Sequence, residues 1–276
     1  MLELLSVVRV ARPEDLRRVL TPGSEKTRYV NRALRDLLTV GLVGRERVGR
    51  RGFVWFLTGS GLAAVAASGD KPDIRPREST GAKVARSGVV DHALAVTELV
   101  TLMASHRIGG VRDWQLERAH RFGGRTVITD LVLHVPHLDP SALLVELDRD
   151  TMRSTAMGRK LELYAAYEAA EKWEGQRGTN GRTTPLWRGL YRGTRFPPLL
   201  VVVDGVDRAG LARRTDLLHR VAQELPRPRY EDLSLRLAVT SLELLREQGP
   251  RAAVWTRVGH YHPGEVVGLS AFASKR

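Results

Sequence analysis

Apolar residues recur at helical spacing three times near the start of the chain. Leu2, Leu5 and Val8 form one stripe. Leu16, Val19 and Leu20 form a second, which opens at Pro13 in the favoured first-turn position, and Val30, Leu34, Leu37 and Leu38 form a third. Thr21-Pro22-Gly23 separates the second from the third, Ser24 is the expected N-cap of the third, and Gly41 closes it. The period then shortens. Residues 44–48 and 53–57 flank a Gly49-Arg50-Arg51-Gly52 turn and predict a β-hairpin. Three helices followed by a basic hairpin is the order of a winged helix-turn-helix, expected over residues 1–67.

Residues 68–88 combine glycine, proline, serine and charge with almost no apolar residue, the composition of a linker. Residues 89–276 alternate helix and strand signals. A helix at 91–105 precedes strand-like stretches at 113–122, 126–135 and 142–148. A helix at 155–171, a polar Gly-rich excursion at 174–194, a strand at 199–204, a helix at 213–225 and strands at 236–240 and 252–257 follow. The first six of these elements run α-β-β-β-α-β. The expected class is therefore α+β or α/β, with a mixed central sheet in the second domain.

A length of 276 residues suits two unequal domains, and a hydrophobic share of 42% suffices for packed cores. Lys and Arg number 44 against 31 Asp and Glu, a net charge of +13 carried almost wholly by arginine. Such an excess fits a polyanion partner, and an Arg-rich, Ala-rich composition also fits a GC-rich genome. The absence of cysteine excludes disulfides and thiolate zinc sites. No apolar run is long enough for a membrane helix and the first residues lack a signal-peptide pattern, so a cytoplasmic protein with no membrane partner is expected.

Within residues 1–60, 12 basic residues face 6 acidic ones. If the third apolar stripe faces the core, Arg28, Arg32 and Arg35 lie on the opposite side, with Lys26, Thr27 and Asn31 toward its N-terminal half. In a winged helix that surface enters the major groove of double-stranded DNA, where Arg reads guanine and Asn reads adenine. Arg45, Arg47, Arg50 and Arg51 on the hairpin would contact the neighbouring backbone or minor groove. The plainer alternatives are a solvated charged face and a protein-docking winged helix.

Acidic residues mark the strands of the second half. Asp130 interrupts the apolar run 127–133, and Glu146 and Asp148 end the run 143–148 and share a face by strand alternation. Carboxylates buried in strands need an ion or a cation partner. Lys160, on the following helix, would satisfy them as an ion pair or orient a metal-activated water. Glu98 is a candidate outer member of the group, or an exposed surface residue.

This set resembles the PD-(D/E)XK nuclease superfamily, whose αβββαβ core carries an Asp on the second strand and Glu-x-Lys on the third. Thr129-Asp130 stands where Pro-Asp would be, Glu146-Leu147-Asp148 replaces Glu-x-Lys, and Lys160 is the migrated equivalent of the lysine. The resemblance implies Asp130, Glu146 and Lys160 as catalytic residues and Asp130, Glu146 and Asp148 as ligands of Mg2+. A winged helix joined to Val145-Glu146-Leu147-Asp148-Arg149-Asp150-Thr151, Lys160-Leu161 and Tyr164 resembles, more specifically, the replication-relaxation family of actinobacterial and other Gram-positive plasmids and integrative elements. Leu57-Thr58 with Gly61, His92-Ala93-Leu94, and Gly249-Pro250 before Trp255 extend the likeness. Its name implies plasmid replication or DNA relaxation.

Two further motifs compete. His260-Tyr261-His262 has the His-hydrophobe-His form of relaxases, but no tyrosine follows Tyr261 to act as nucleophile, and tail histidines are the plainer reading. Leu199-Leu200-Val201-Val202-Val203-Asp204 is similar to a Walker B strand, yet no phosphate-binding Gly-x-x-x-x-Gly-Lys-Ser/Thr accompanies it, so a buried strand is expected. The sequence thus points to a DNA-binding protein of mobile-element replication or DNA processing, with a metal-dependent nuclease or nickase as one form. The other form is a non-catalytic replication or transcription regulator that uses a degenerate nuclease fold to dimerise or bind partners. A homodimer and replication or conjugation proteins are the candidate partners.

Overall fold

Each of the three N-terminal apolar stripes forms a helix in the computed structural model, which describes residues 1–49, 52–68, 80–149, 154–174, 182–225, 235–260, 263–272 and 274–275. These residues fall into two units, Met1–Leu116 and Glu117–Arg276.

In the first unit, α1 (Leu2–Val8) buries Leu4, Leu5 and Val8. At the start of α2 (Pro13–Leu20), Pro13 needs no hydrogen bond and Asp15 accepts the backbone N–H of Arg12 at 3.1 Å. The next helix, α3 (Arg28–Thr39), buries Val30 and Leu34. It begins later than expected. The Ser24 hydroxyl bonds Lys26 within the preceding turn rather than capping a helix, so Lys26 and Thr27 precede α3. Arg17 holds that turn through the Ser24 carbonyl.

The hairpin consists of β1 (Val43–Arg47) and β2 (Phe53–Leu57), antiparallel with Val43 opposite Leu57 and Arg47 opposite Phe53. Ala11 adds a third strand position by exchanging two backbone hydrogen bonds with Trp55, at 3.0 and 2.9 Å. Thr58 caps α4 (Gly59–Ala67) by accepting from Gly61 N–H at 3.1 Å and donating to the Gly41 carbonyl at 2.6 Å. Gly61 is required there, because a Cβ would lie 2.0 Å from the Leu42 carbonyl oxygen.

Part of the stretch with linker composition is helical. The short α5 (Thr80–Ala85) packs on β2, with Gly81 so close that a Cβ would stand 2.8 Å from the Arg9 carbonyl oxygen. Ala85 joins Val10, Val54, Phe56, Val90 and Leu94 in one apolar cluster. The long α6 (Val90–Ser105), expected to open the second domain, belongs to this first unit and is buried without interruption from Leu94 through Met103. It packs on α2, and its Thr97 donates to the Val10 carbonyl at 2.8 Å.

The second unit is a seven-stranded mixed sheet with helices. In chain order its elements are β3 (Trp114–Phe122, starting just before the boundary), β4 (Arg125–His134), β5 (Leu138–Asp139), β6 (Ala142–Asp148), α7 (Ser154–Glu168), β7 (Glu171–Glu174), β8 (Arg182–Pro185), β9 (Leu199–Val203), α8 (Arg208–Glu224), β10 (Leu237–Ser241), α9 (Leu242–Gln248), β11 (Trp255–Val258), β12 (Val266–Val267) and β13 (Ser274–Lys275). The sheet order is β12-β11-β10-β9-β6-β4-β3. Strands β6, β9 and β10 run parallel at its centre, and antiparallel β4 and β11 flank them.

Central parallel strands are covered on both faces, which is why β6 and β9 are continuous apolar runs, buried throughout. Met157, Leu161 and Tyr164 of α7 and Leu218 and Ala222 of α8 pack with Leu144, Leu199, Val201 and Val239 of the sheet. Asp207 starts α8 five residues before the expected position by accepting from Gly210 N–H at 2.7 Å. Among the described residues no helix is long and apolar enough to cross a membrane.

Candidate functional site

The register of β4 on β6, Leu131 opposite Val145, sets Asp130 beside Glu146, as cross-strand neighbours on one face. Asp130 is partly exposed and one of its oxygens accepts the Leu147 N–H at 2.9 Å; Glu146 is 3% exposed. Lys160 reaches in from α7. Its Nζ hydrogen-bonds Oε2 of Glu146 and lies 3.9 Å from Oδ1 of Asp130. The structure thus brings these three residues together, and the link between Lys160 and the carboxylates is an ion pair.

Tyr164, one helical turn after Lys160, donates to the other oxygen of Glu146. Behind it a buried polar chain runs into the core. Thr129 Oγ1 is 2.6 Å from the Tyr164 hydroxyl and 3.3 Å from His120 Nδ1, and His120 Nε2 is 2.5 Å from the Tyr191 hydroxyl. One assignment satisfies every donor: Tyr191 donates to His120, His120 to Thr129, Thr129 to Tyr164, and Tyr164 to Glu146. It requires a neutral imidazole. Burial, reinforced by the charge of Arg118, accordingly lowers His120 to about 4. Burial and the adjacent Asp130 push Glu146 well above the usual carboxylate range, against the pull of Lys160. Burial and Glu146 likewise raise Tyr164.

Asp148 has another partner. Although it shares a strand face with Glu146, its Oδ2 is held by Nε and Nη2 of Arg214 from α8, and both side chains are buried. Among the described residues no group of three His, Asp or Glu side chains is placed to hold a metal ion. With Glu146 engaged at both oxygens and Asp148 held by Arg214, this donor set does not fit the Mg2+ expected from Asp130, Glu146 and Asp148. Arg214 lies 66 residues from Asp148, and no local spacing announces the pair.

The cations expected to meet DNA lie in the first unit. Lys26, Arg28, Arg32, Arg35, Arg45 and Arg47 are exposed. None of the six is ion-paired among the described residues. Thr27 and Asn31 are half-buried and bond each other, Asn31 Nδ2 donating to Thr27 Oγ1 at 3.1 Å. On the hairpin the Arg45 guanidinium lies over Phe53 and Trp55, 4.4 and 5.8 Å from the ring centroids. Arg50 and Arg51 lie outside the described residues, as do Tyr261 and His262 of the His-Tyr-His triplet and Asp150 and Thr151.

Glu98 is not an exposed surface residue. It is a buried residue of α6 in the first unit, bound by Arg12 at 2.8 Å and Arg18 at 3.3 Å. Both arginines also hold the fully buried Asp15, at 3.0 and 2.9 Å. Burial works against the charge of Arg12, but hydrogen bonds and charge from Asp15 and Glu98 outweigh it and raise its pKa. Burial raises Asp15, against the pull of Arg12 and Arg18.

No curated protein and no solved structure matches the chain. The family comparison is positive. The replication-relaxation model matches residues 2–183, a span that includes the N-terminal helices and hairpin, Asp130, Glu146, Lys160 and Tyr164, and the chain belongs to the replication-relaxation family.

Proposed function

We propose that this protein acts in plasmid or mobile-element replication as a double-stranded-DNA-binding protein, with a winged helix in its first unit carrying the DNA contacts. The observation that carries this reading is the exposed set Lys26, Arg28, Arg32, Arg35, Arg45 and Arg47, on and around α3 and β1, with no carboxylate partner among the described residues. Cations left unpaired on a helix and an adjacent hairpin form an electrostatic footprint for a phosphate backbone. Family membership supports the replication role. The Ala11 bridge to Trp55 supports the winged helix, because it braces the hairpin against the segment between α1 and α2.

The second unit is read as a PD-(D/E)XK-like core used without hydrolysis, for dimerisation or partner binding. The order of its main elements, β3-β4-β6-α7-β9, and its Asp130-Glu146-Lys160 constellation support the likeness. The commitment of Glu146 to Lys160 and Tyr164, and of Asp148 to Arg214, favours the non-hydrolytic form.

Fluorescence anisotropy with a labelled duplex across a salt series tests the DNA reading. Affinity should fall steeply with salt, and Arg32→Ala with Arg35→Ala should flatten the log–log slope by about 2. Binding indifferent to ionic strength would sink it. A plasmid-nicking assay with Mg2+ or Mn2+ separates the two forms of the second unit: no nicking is expected, and nicking abolished by Asp130→Ala and by Lys160→Ala would establish the nuclease instead.

A further inference from the structure

One exposed aromatic residue on α3 has no part in the contacts described so far. Tyr29 is 59% exposed, although a ring of this size normally finds apolar cover. It is the second residue of α3, and its neighbour Arg28 folds back over it. The Arg28 Cζ stands 4.8 Å from the ring centroid and Nη2 donates to the Tyr29 hydroxyl at 2.9 Å. Adjacent residues on a helix project about 100° apart and do not ordinarily face each other. The contact therefore fixes the otherwise mobile guanidinium, lying on the ring and tied to its edge.

The hydrogen-bond inventory of the pair is one-sided. The Tyr29 hydroxyl accepts from Arg28, so its own proton is turned outward as a donor. The remaining N–H groups of the guanidinium are donors as well. Two donors held side by side match two adjacent acceptors. In the major groove that pattern is the O6 and N7 edge of guanine, whereas adenine and cytosine present an amino donor that such a pair leaves unsatisfied.

We propose that Arg28 and Tyr29 form a single guanine-reading unit in the major groove, with Tyr29 as a specificity-determining residue. The proposal rests on the DNA-binding reading above. The position of the pair agrees with it, since the N-terminal residues of a recognition helix are those that reach base edges. Arg32 and Arg35, which lie farther along the same face, supply affinity by contacting phosphate.

The test is selection from a randomised duplex pool by the full-length protein, comparing the unaltered chain with Tyr29→Phe and Arg28→Ala. Anisotropy then compares the enriched duplex with its guanine-to-adenine counterpart. The unaltered chain should enrich a guanine. Tyr29→Phe keeps the ring and loses only an exposed hydroxyl; it should hold unselected duplex within about twofold of the original while its guanine preference falls about tenfold. Arg28→Ala should lose that preference and some affinity. Equal enrichment of the same guanine by Tyr29→Phe overturns the proposal, and so does duplex binding by the unaltered chain without base preference. No binding to any duplex at low salt would remove the DNA-binding reading itself, a different failure.

Discussion

Tyr164 and Glu146 share a hydrogen bond in the core of the second unit, the phenol donating to one carboxylate oxygen while Lys160 takes the other. Lys160 and Tyr164 are one helical turn apart, so α7 presents an ammonium and a hydroxyl to a single carboxyl of β6. With Thr129, His120 and Tyr191 behind Tyr164, every member of this chain has a hydrogen-bond partner. Networks of this kind specify a unique packing when complete and become costly when one member is removed.

Removing the phenolic hydroxyl strips Glu146 of one donor and Thr129 of an acceptor, with little change of volume. Tyr164→Phe should lower unfolding free energy by about 1–3 kcal/mol. Lys160→Ala should cost about 3 kcal/mol, at the low end for a broken buried pair, because Lys160 itself is only partly buried. Glu146→Gln combined with Lys160→Met should return to within about 1 kcal/mol of the original, since the charges leave together. Urea denaturation of the three variants checks this. A double variant no more stable than Lys160→Ala alone would mean that the pair does more than neutralise itself.

The buried pair of Asp148 and Arg214 makes a separate statement about metal. Truncating one partner leaves an uncompensated buried charge, so Arg214→Ala should destabilise the second unit by about 3–5 kcal/mol. For the same reason Mg2+ in millimolar excess should leave the thermal midpoint of the unaltered protein where it was. A ligand that binds only the folded state raises the midpoint by mass action, so a rise abolished by Asp148→Asn would show that the carboxylate leaves Arg214 for a cation.

The contrast between Lys160 and Arg214 shows what a sequence displays and what it conceals. Residues 142–148 could be read as a strand residue for residue, because a central parallel strand must be apolar on both faces. Lys160 could be paired with Glu146 because the helix after that strand has to return across it. Arg214 could not, since nothing local in α8 records that one of its arginines points into the core. The same holds for α6. Its apolar composition announces burial, but periodicity does not say which neighbours bury it, and they prove to be α2 and the first unit. Ala11 and Trp55 pair across a single residue, too short for a period-2 pattern, and the turn around Ser24 delays α3 because a serine hydroxyl caps a turn as readily as a helix.

Glu98 binds α6 to α2 through two arginines that also hold Asp15. Glu98→Ala leaves Arg12 and Arg18 with one buried carboxylate between them and should cost the first unit about 2–4 kcal/mol. Glu98→Gln keeps the shape and accepts one hydrogen bond, so it should cost less. Both are to be read by hydrogen exchange at amides of α2 and α6. Equal loss in the two variants would assign the whole effect to charge, and a Glu98→Gln protein as stable as the original would assign it to packing.

His120 and Glu168 make stability depend on pH in opposite senses. Burial and Arg118 lower His120 to about 4 from an ordinary 6.5, so the folded state keeps the imidazole neutral while the unfolded chain binds a proton; stability is lost as pH falls from 6.5 toward 4. Burial raises Glu168 to about 8 from an ordinary 4.5, against the pull of Arg236, and its Oε1 has no hydrogen-bond partner among the described residues. The folded state therefore holds that proton longer, and the stability present below 4.5 is lost as pH rises toward 8. Each slope is at most about 1.4 kcal/mol per pH unit, so the two largely cancel between the ordinary values of the two groups. Of the two groups only Glu168 is still changing above pH 6.5, and it should lower the unfolding free energy by about 1–2 kcal/mol on going to pH 8. Glu168→Gln should remove that fall and uncover the loss of stability that His120 causes below pH 6.5, and His120→Gln should extend the fall down toward pH 4.5. Urea midpoints across this range measure both, and a Glu168→Gln protein that weakens as steeply as the original above neutrality would place the titration on another group.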